Sequence, residues 1–101
     1  MARFDLFRLP DDRGYVVDVQ SDHASTKLRT RVVVPLIPLA ALSKPITGLN
    51  PIVRVDGQDY VFVAQSLATL TLPEIGQHAG RLRAEHGDAF AYALDILFTG
   101  F

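Results

Sequence analysis

Ile52-Val-Arg-Val-Asp-Gly-Gln-Asp-Tyr-Val-Phe-Val63 reads as a β-hairpin, and the rest of the fold follows outward from it. Ile52–Val55 and Gln58–Val63 are the two strands. Asp56-Gly57 is the turn, because Asp-Gly favours the primed turn types whose twist matches that of paired strands. Upstream, Arg31–Ile37 is a strong β run interrupted by Pro35. Proline cannot donate to a ladder, so Pro35 predicts an edge strand or a bulge. Tyr15–Gln20 is a further strand, and Pro10–Gly14 supplies the turn residues before it. Phe4 and Leu6 alternate with Arg3 and Asp5, the two-residue period of a half-buried strand. Ser21–Thr30 is polar and reads as a loop. Pro38–Pro51 reads as irregular, with a helical turn at Leu39–Leu42.

The last third reads as helical. Pro73 suits a first helical position, with Thr71 or Leu72 before it and Glu74 at the positive end of the helix dipole. Ile75, Ala79 and Leu82 then share a face, which predicts a helix carrying both His78 and His86 and stopped by Gly87. Gly76 and Gly80, four apart, are compatible with close packing or with a local cost of up to about 1 kcal/mol each. Asp88 is a suitable N-cap for a final helix within the last fourteen residues, Asp88–Phe101. That helix is apolar nearly all round, so it needs cover from the core or from a partner. Its ending, Phe98-Thr99-Gly100-Phe101, offers an aromatic ring to a second surface. The order of elements predicts one domain over 1–101: a mainly β (α+β) fold with an antiparallel sheet first and helix last.

Composition narrows the function. The chain has 101 residues, 49% of them hydrophobic, and a formal net charge of -1. That length buries roughly 60–70% of the unfolded surface around one core. A near-neutral charge disfavours a protein that coats nucleic acid. Without cysteine there are no disulfides or thiolate metal sites, and a reducing compartment is compatible. No signal peptide and no membrane-spanning run is visible, so the expectation is a soluble cytoplasmic domain. Charge is uneven, however. From Asp22 to Asp56 no acid intervenes, while Lys27, Arg29, Arg31, Lys44 and Arg54 fall in that interval. Either the surface balances within the fold, or a basic face draws an acidic peptide or phosphate.

Chemistry is scarce. There is no Gly-rich phosphate loop, no His-x-x-x-His pair and no cysteine nucleophile. His78 and His86, about two turns apart on the predicted helix, are too far apart for one metal without other ligands. They read as surface residues, with no metal or cofactor implied. His23 lies near Asp22, Lys27, Arg29 and Arg31. Such a group could serve a metal-free ribonuclease, with a base at the 2′-hydroxyl and arginines on the phosphate. An ordinary solvated loop has the same composition.

Several segments taken in order resemble the CcdB family of toxins. They are Asp18-Val-Gln-Ser-Asp22, Val32-Val-Val-Pro-Leu36, Asn50-Pro-Ile-Val53, Ile75-Gly76, and the ending Ala93-Leu94 … Phe98-x-Gly100. The resemblance implies a small antiparallel β-barrel or sheet of the CcdB/Kid/MazF type with a C-terminal α-helix. It implies a homodimer in which the ends of the two helices lie close together, placing Leu94, Leu97, Phe98 and Phe101 at the interface. It implies a toxin of a plasmid toxin–antitoxin module that enters the DNA gyrase A-subunit dimer and traps the enzyme on cut DNA. The toxin itself breaks no bond. A cognate antitoxin strips it off with a flexible tail, for which Lys27, Arg29 and Arg31 form a candidate basic surface.

The family's gyrase contact, Trp-Gly-hydrophobic, carries over to Thr99, Gly100 and Phe101. Threonine supplies no ring face for a guanidinium. Loss of a central aromatic anchor costs about 2–4 kcal/mol. Phe101 either restores part of that contact or folds back onto the core or the second protomer. Three readings therefore stand: a gyrase poison, a MazF-like endoribonuclease, and a non-toxic homologue that keeps only the antitoxin surface.

Overall fold

Asp56 and Gly57 take φ of 50° and 78°, the left-handed pair that a type I′ turn requires. A computed structural model describes residues 2–42 and 44–100. The turn joins β4 (Ile52–Val55) to β5 (Gln58–Phe62). The other strands are β1 (Asp5–Arg8), β2 (Tyr15–Asp18), β3 (Thr30–Pro38), β6 (Ala68–Thr71) and β7 (Gln77–Arg81). They form one antiparallel sheet in the order β4-β5-β3-β2-β1-β7, with β6 also paired to β3. The sheet curls into a half-barrel, and the long helix α3 (Arg83–Thr99) packs on its inner face.

Period-two alternation sorts the side chains. Phe4, Leu6, Val17, Val34, Leu36, Val53 and Phe62 face inward against Phe90, Ala93 and Leu94 of α3. Phe62 and Phe90 stack with centroids 4.1 Å apart, and Phe4 meets Phe90 edge-on at 5.5 Å. The outer face holds a smaller cluster of Phe7, Val16, Val33 and Ile75. Every residue of β2 is consequently buried.

Pro35 lies in a central strand rather than at an edge. β3 pairs with β2 along one side and, along the other, with β6 through Thr30–Val33 and with β5 through Leu36–Pro38. The Pro35 carbonyl accepts from Val63 N–H, so its nitrogen points to that same side, into the gap between β6 and β5. No ladder donor is required there. Ser21–Thr30 is also more ordered than a loop. It contains a single helical turn, α1 (Asp22–Ser25), capped by Ser21 Oγ, which accepts from Ala24 N–H. The helical turn before the hairpin forms at Leu39–Ala41.

The predicted helix from Pro73 to His86 does not form. Only α2 (Leu72–Ile75) is helical, with Glu74 Oε1 accepting from Thr71 N–H. Gly76 then turns the chain with φ 84°, and Gln77–Arg81 pairs with β1. Pairing to an open sheet edge and burial of Ile75 outweigh the weak local helical pattern. Helix α3 begins at Arg83 and runs straight through Gly87 and Asp88, so Gly87 is not a stop and Asp88 is not an N-cap. His78 is therefore on a strand and His86 on a helix. Burying Phe90, Ala93 and Leu94 offsets the roughly 1 kcal/mol cost of an interior glycine.

Candidate functional site

The C-terminal end of α3 stands clear of the sheet. Thr99 and Gly100 are exposed, and Phe98 keeps 71% of its surface in solvent. Gly100 adopts the left-handed conformation (φ 92°), and its N–H returns to Ile96 O at 3.0 Å. That αL cap ends the helix cleanly. The Thr99 hydroxyl folds back and donates to Asp95 O, so its side chain does not reach outward. Phe101 lies outside the described residues. Of the residues expected at a dimer seam, Leu94 packs in the protomer's own core, Leu97 is half-buried, and Phe98 is exposed. Beside Phe98 a groove of about 340 Å³ opens between α3 and the sheet, lined by Val19, Val32, Leu67 and Leu94 with Arg3 and Asp95 on its walls.

The basic trio separates. Lys27 and Arg29 are exposed, and Leu28 between them is half in solvent. Arg31 turns inward to a nearly buried position, with its Nε 3.8 Å from Asp18 Oδ2. Its guanidinium donates to Leu28 O and Thr30 O, while Nε has no hydrogen-bond partner. Burial pushes the Asp18 carboxyl above its ordinary value, against the opposing pull of the Gln20 N–H and the Arg31 charge. Gln20 completes the clamp by donating to Ser25 Oγ and Thr30 O and accepting from Val32 N–H. Arg31 thus serves to hold both ends of the loop that displays Lys27 and Arg29. Nothing in its sequence position signals this, because Asp18 is brought to it only by the pairing of β2 with β3.

The His23 group does not assemble as a ribonuclease centre. His23 is exposed on α1, Arg31 is buried, and Asp22 is occupied by Arg3 N–H at 2.8 Å and by Arg83 at 3.6 Å. His78 instead meets Asp5, 73 residues earlier. The alternation of Asp5 with Phe4 and Leu6 placed it on the outer face, but its partner became visible only with β7 in the sheet.

A family model described as CcdB protein matches residues 3–100. The chain belongs to the CcdB family. It is thereby a toxin of the toxin–antitoxin class. Among solved structures, an endoribonuclease in complex with its cognate antitoxin, from a mycobacterial species, superposes with a TM-score of 0.78 at 16% identity. The match covers 98% of this chain and 95% of that one. The Mycobacterium tuberculosis toxin MazF-mt6 superposes with a TM-score of 0.76 at 18% identity, covering 96% and 97% of the two chains. At such identities these likenesses show that the CcdB-family chain shares its fold with MazF-type toxins. Comparison with the sequences of curated proteins gives no match.

Proposed function

We propose that this CcdB-family toxin acts by binding: a homodimer engages the DNA gyrase A subunit in the cytoplasm, traps the gyrase–DNA cleavage complex, and is released by a cognate antitoxin. The exposed end of α3 carries this reading, since Thr99 and Gly100 lie in solvent at the tip of the helix and lead directly to Phe101. Phe98 and the groove beside it, with Arg3 and Asp95 on its walls, suit the second protomer. Lys27 and Arg29 suit an acidic antitoxin tail that orders on binding.

The inward-turned Thr99 hydroxyl leaves the gyrase contact without its aromatic anchor, which lowers affinity roughly 30- to 1000-fold relative to a tryptophan. DNA cleavage by the host gyrase at micromolar toxin tests the reading. Accumulated cut DNA, lost on deletion of Gly100 and Phe101, supports it. If only Thr99→Trp produces cleavage, the natural chain is a non-toxic homologue. Absence of cleavage with both forms, folded and dimeric, refutes it.

The likeness to the endoribonuclease structures favours a second reading, RNA cleavage by this chain. Its test is loss of a single-stranded RNA substrate, insensitive to trimming of Gly100 and Phe101.

A further inference from the structure

The half-barrel is not closed, so β4 and β7 end the sheet and β6 carries a further free edge. These edges differ in what they leave unbonded. In β7 the register shifts between the partners of Leu6 and Phe7, and such a bulge breaks a regular ladder. In β6 the Thr71 N–H is already held by Glu74 Oε1. β4 has neither device. Val55 and Gln58 flank the two-residue turn and exchange hydrogen bonds, and bonded pairs alternate from there. Val53 and Val55 therefore bond to β5, and the Pro51 carbonyl continues the pattern by accepting from Phe62 N–H. The N–H and C=O groups of Ile52 and Arg54 point the other way and have no partner among the described residues.

Ile52 and Arg54 also share the exposed face of the strand. Half of Ile52 is in solvent. Arg54 keeps 68% of its side chain exposed; its Nη1 donates to Asp59 Oδ1 and its Nη2 to Gly57 O, which leaves Nε unused. The tip of the hairpin is tied down. Arg8 Nη2 donates to the Tyr15 hydroxyl at 2.8 Å, and that hydroxyl donates to Asp56 Oδ2 at 3.1 Å. An edge fixed in this way loses little freedom on accepting a strand.

We propose that the free edge of β4 takes up an extended acidic peptide segment as an added antiparallel strand, with a carboxylate beside Arg54 and, two residues later, an apolar side chain beside Ile52. Main-chain bonds give such strand addition its affinity, and alternate side chains give its selectivity. Residues opposed across a ladder share a face, so the carboxylate extends the Asp59–Arg54 pair onto a third strand. β4 also lies in the stretch between Asp22 and Asp56 that contains no acid, which favours an acidic partner over a basic one. Antiparallel pairing of both residues with a second copy would set each Ile52 against an Arg54, without complementarity. This edge shares no residue with the α3 tip, the groove beside it or the Lys27–Arg29 loop.

The full chain is titrated with a short capped peptide that repeats Glu-Thr-Val-Thr. Binding is expected to protect the Ile52 and Arg54 amides from hydrogen exchange and to weaken as salt rises. N-methylation of the glutamates and valines, whose N–H groups face β4, is expected to weaken binding about tenfold or more. N-methylation of the threonines, whose N–H groups face solvent, is expected to leave it unchanged. R54E is expected to weaken binding about fivefold and to favour the peptide with lysine in place of glutamate. Binding indifferent to the N-methylation pattern overturns strand addition, and indifference to R54E overturns the placement of the carboxylate. No binding at millimolar peptide overturns the site. Amide protection that rises with protein concentration alone makes a second copy the occupant and overturns it too.

Discussion

Replacing Gly76 and Gly87 by alanine separates the observed fold from the helix that local sequence suggests. Gly76 has φ 84°, and a Cβ there would sit 2.1 Å from Arg8 O and 3.0 Å from Pro10 Cδ. The backbone conformation alone costs an L-residue about 1–3 kcal/mol. The overlap is with a carbonyl of the β1–β7 rung formed by Arg8 and Gln77, so relief requires moving the strand pair. Together these give about 3–5 kcal/mol of destabilisation by Gly76→Ala, a large part of the 5–15 kcal/mol typical of a domain. At about 4–8 °C per kcal/mol, the Tm falls by roughly 12–40 °C. Gly87 is helical, and a Cβ there would meet Arg83 Cγ at 3.4 Å and Phe4 Cδ2 at 3.5 Å, which is ordinary contact. Gly87→Ala should therefore stabilise by about 0.5–1 kcal/mol. Urea unfolding followed by circular dichroism measures both. A helix running from Pro73 to His86 would instead make Gly76→Ala favourable by up to about 1 kcal/mol. A Gly76→Ala variant within about 1 kcal/mol of the natural chain would refute the turn and the strand that follows it.

Phe90→Ala removes the fully buried ring between Phe62 and Phe4 and should cost about 3–5 kcal/mol in the same unfolding assay; a loss below about 1 kcal/mol would contradict the packing. Asp18 holds a proton in the folded state at pH values where the unfolded chain, with its ordinary value of 3.8, has released it. Its contribution therefore grows as pH falls toward 3.8 and is lost as pH rises through the folded value. Urea midpoints between mild acid and neutrality should differ in slope between the natural chain and Asp18→Asn, and parallel curves would rule this out. Reversing Lys27 and Arg29 to Glu should slow antitoxin association about tenfold at low salt and flatten its salt dependence. Unchanged rates in stopped-flow mixing would remove these residues from the antitoxin surface.

Segments whose neighbours in sequence are also their neighbours in space were legible from the chain alone. The Asp56-Gly57 turn, the β runs at Tyr15 and Arg31, and the apolar stretch ending at Phe98 each carry their cause locally. The resemblance to the CcdB family was legible for the same reason, resting on short ordered segments. Arg31 was read as part of an exposed basic face, but Asp18 on the adjacent strand draws it inward. Gln77–Arg81 was read as helix because nothing within it favours a strand; the open edge of β1 does.

Composition, turn chemistry and hydrophobic period by themselves determined a mainly β domain ending in a helix, because those signals act over a few bonds. Which strand lies at an edge, which charges are buried, and which histidine finds a carboxylate were decided only by the tertiary structure. Asp5 and His78 stand 73 residues apart, and only closure of the sheet brings them within a hydrogen bond.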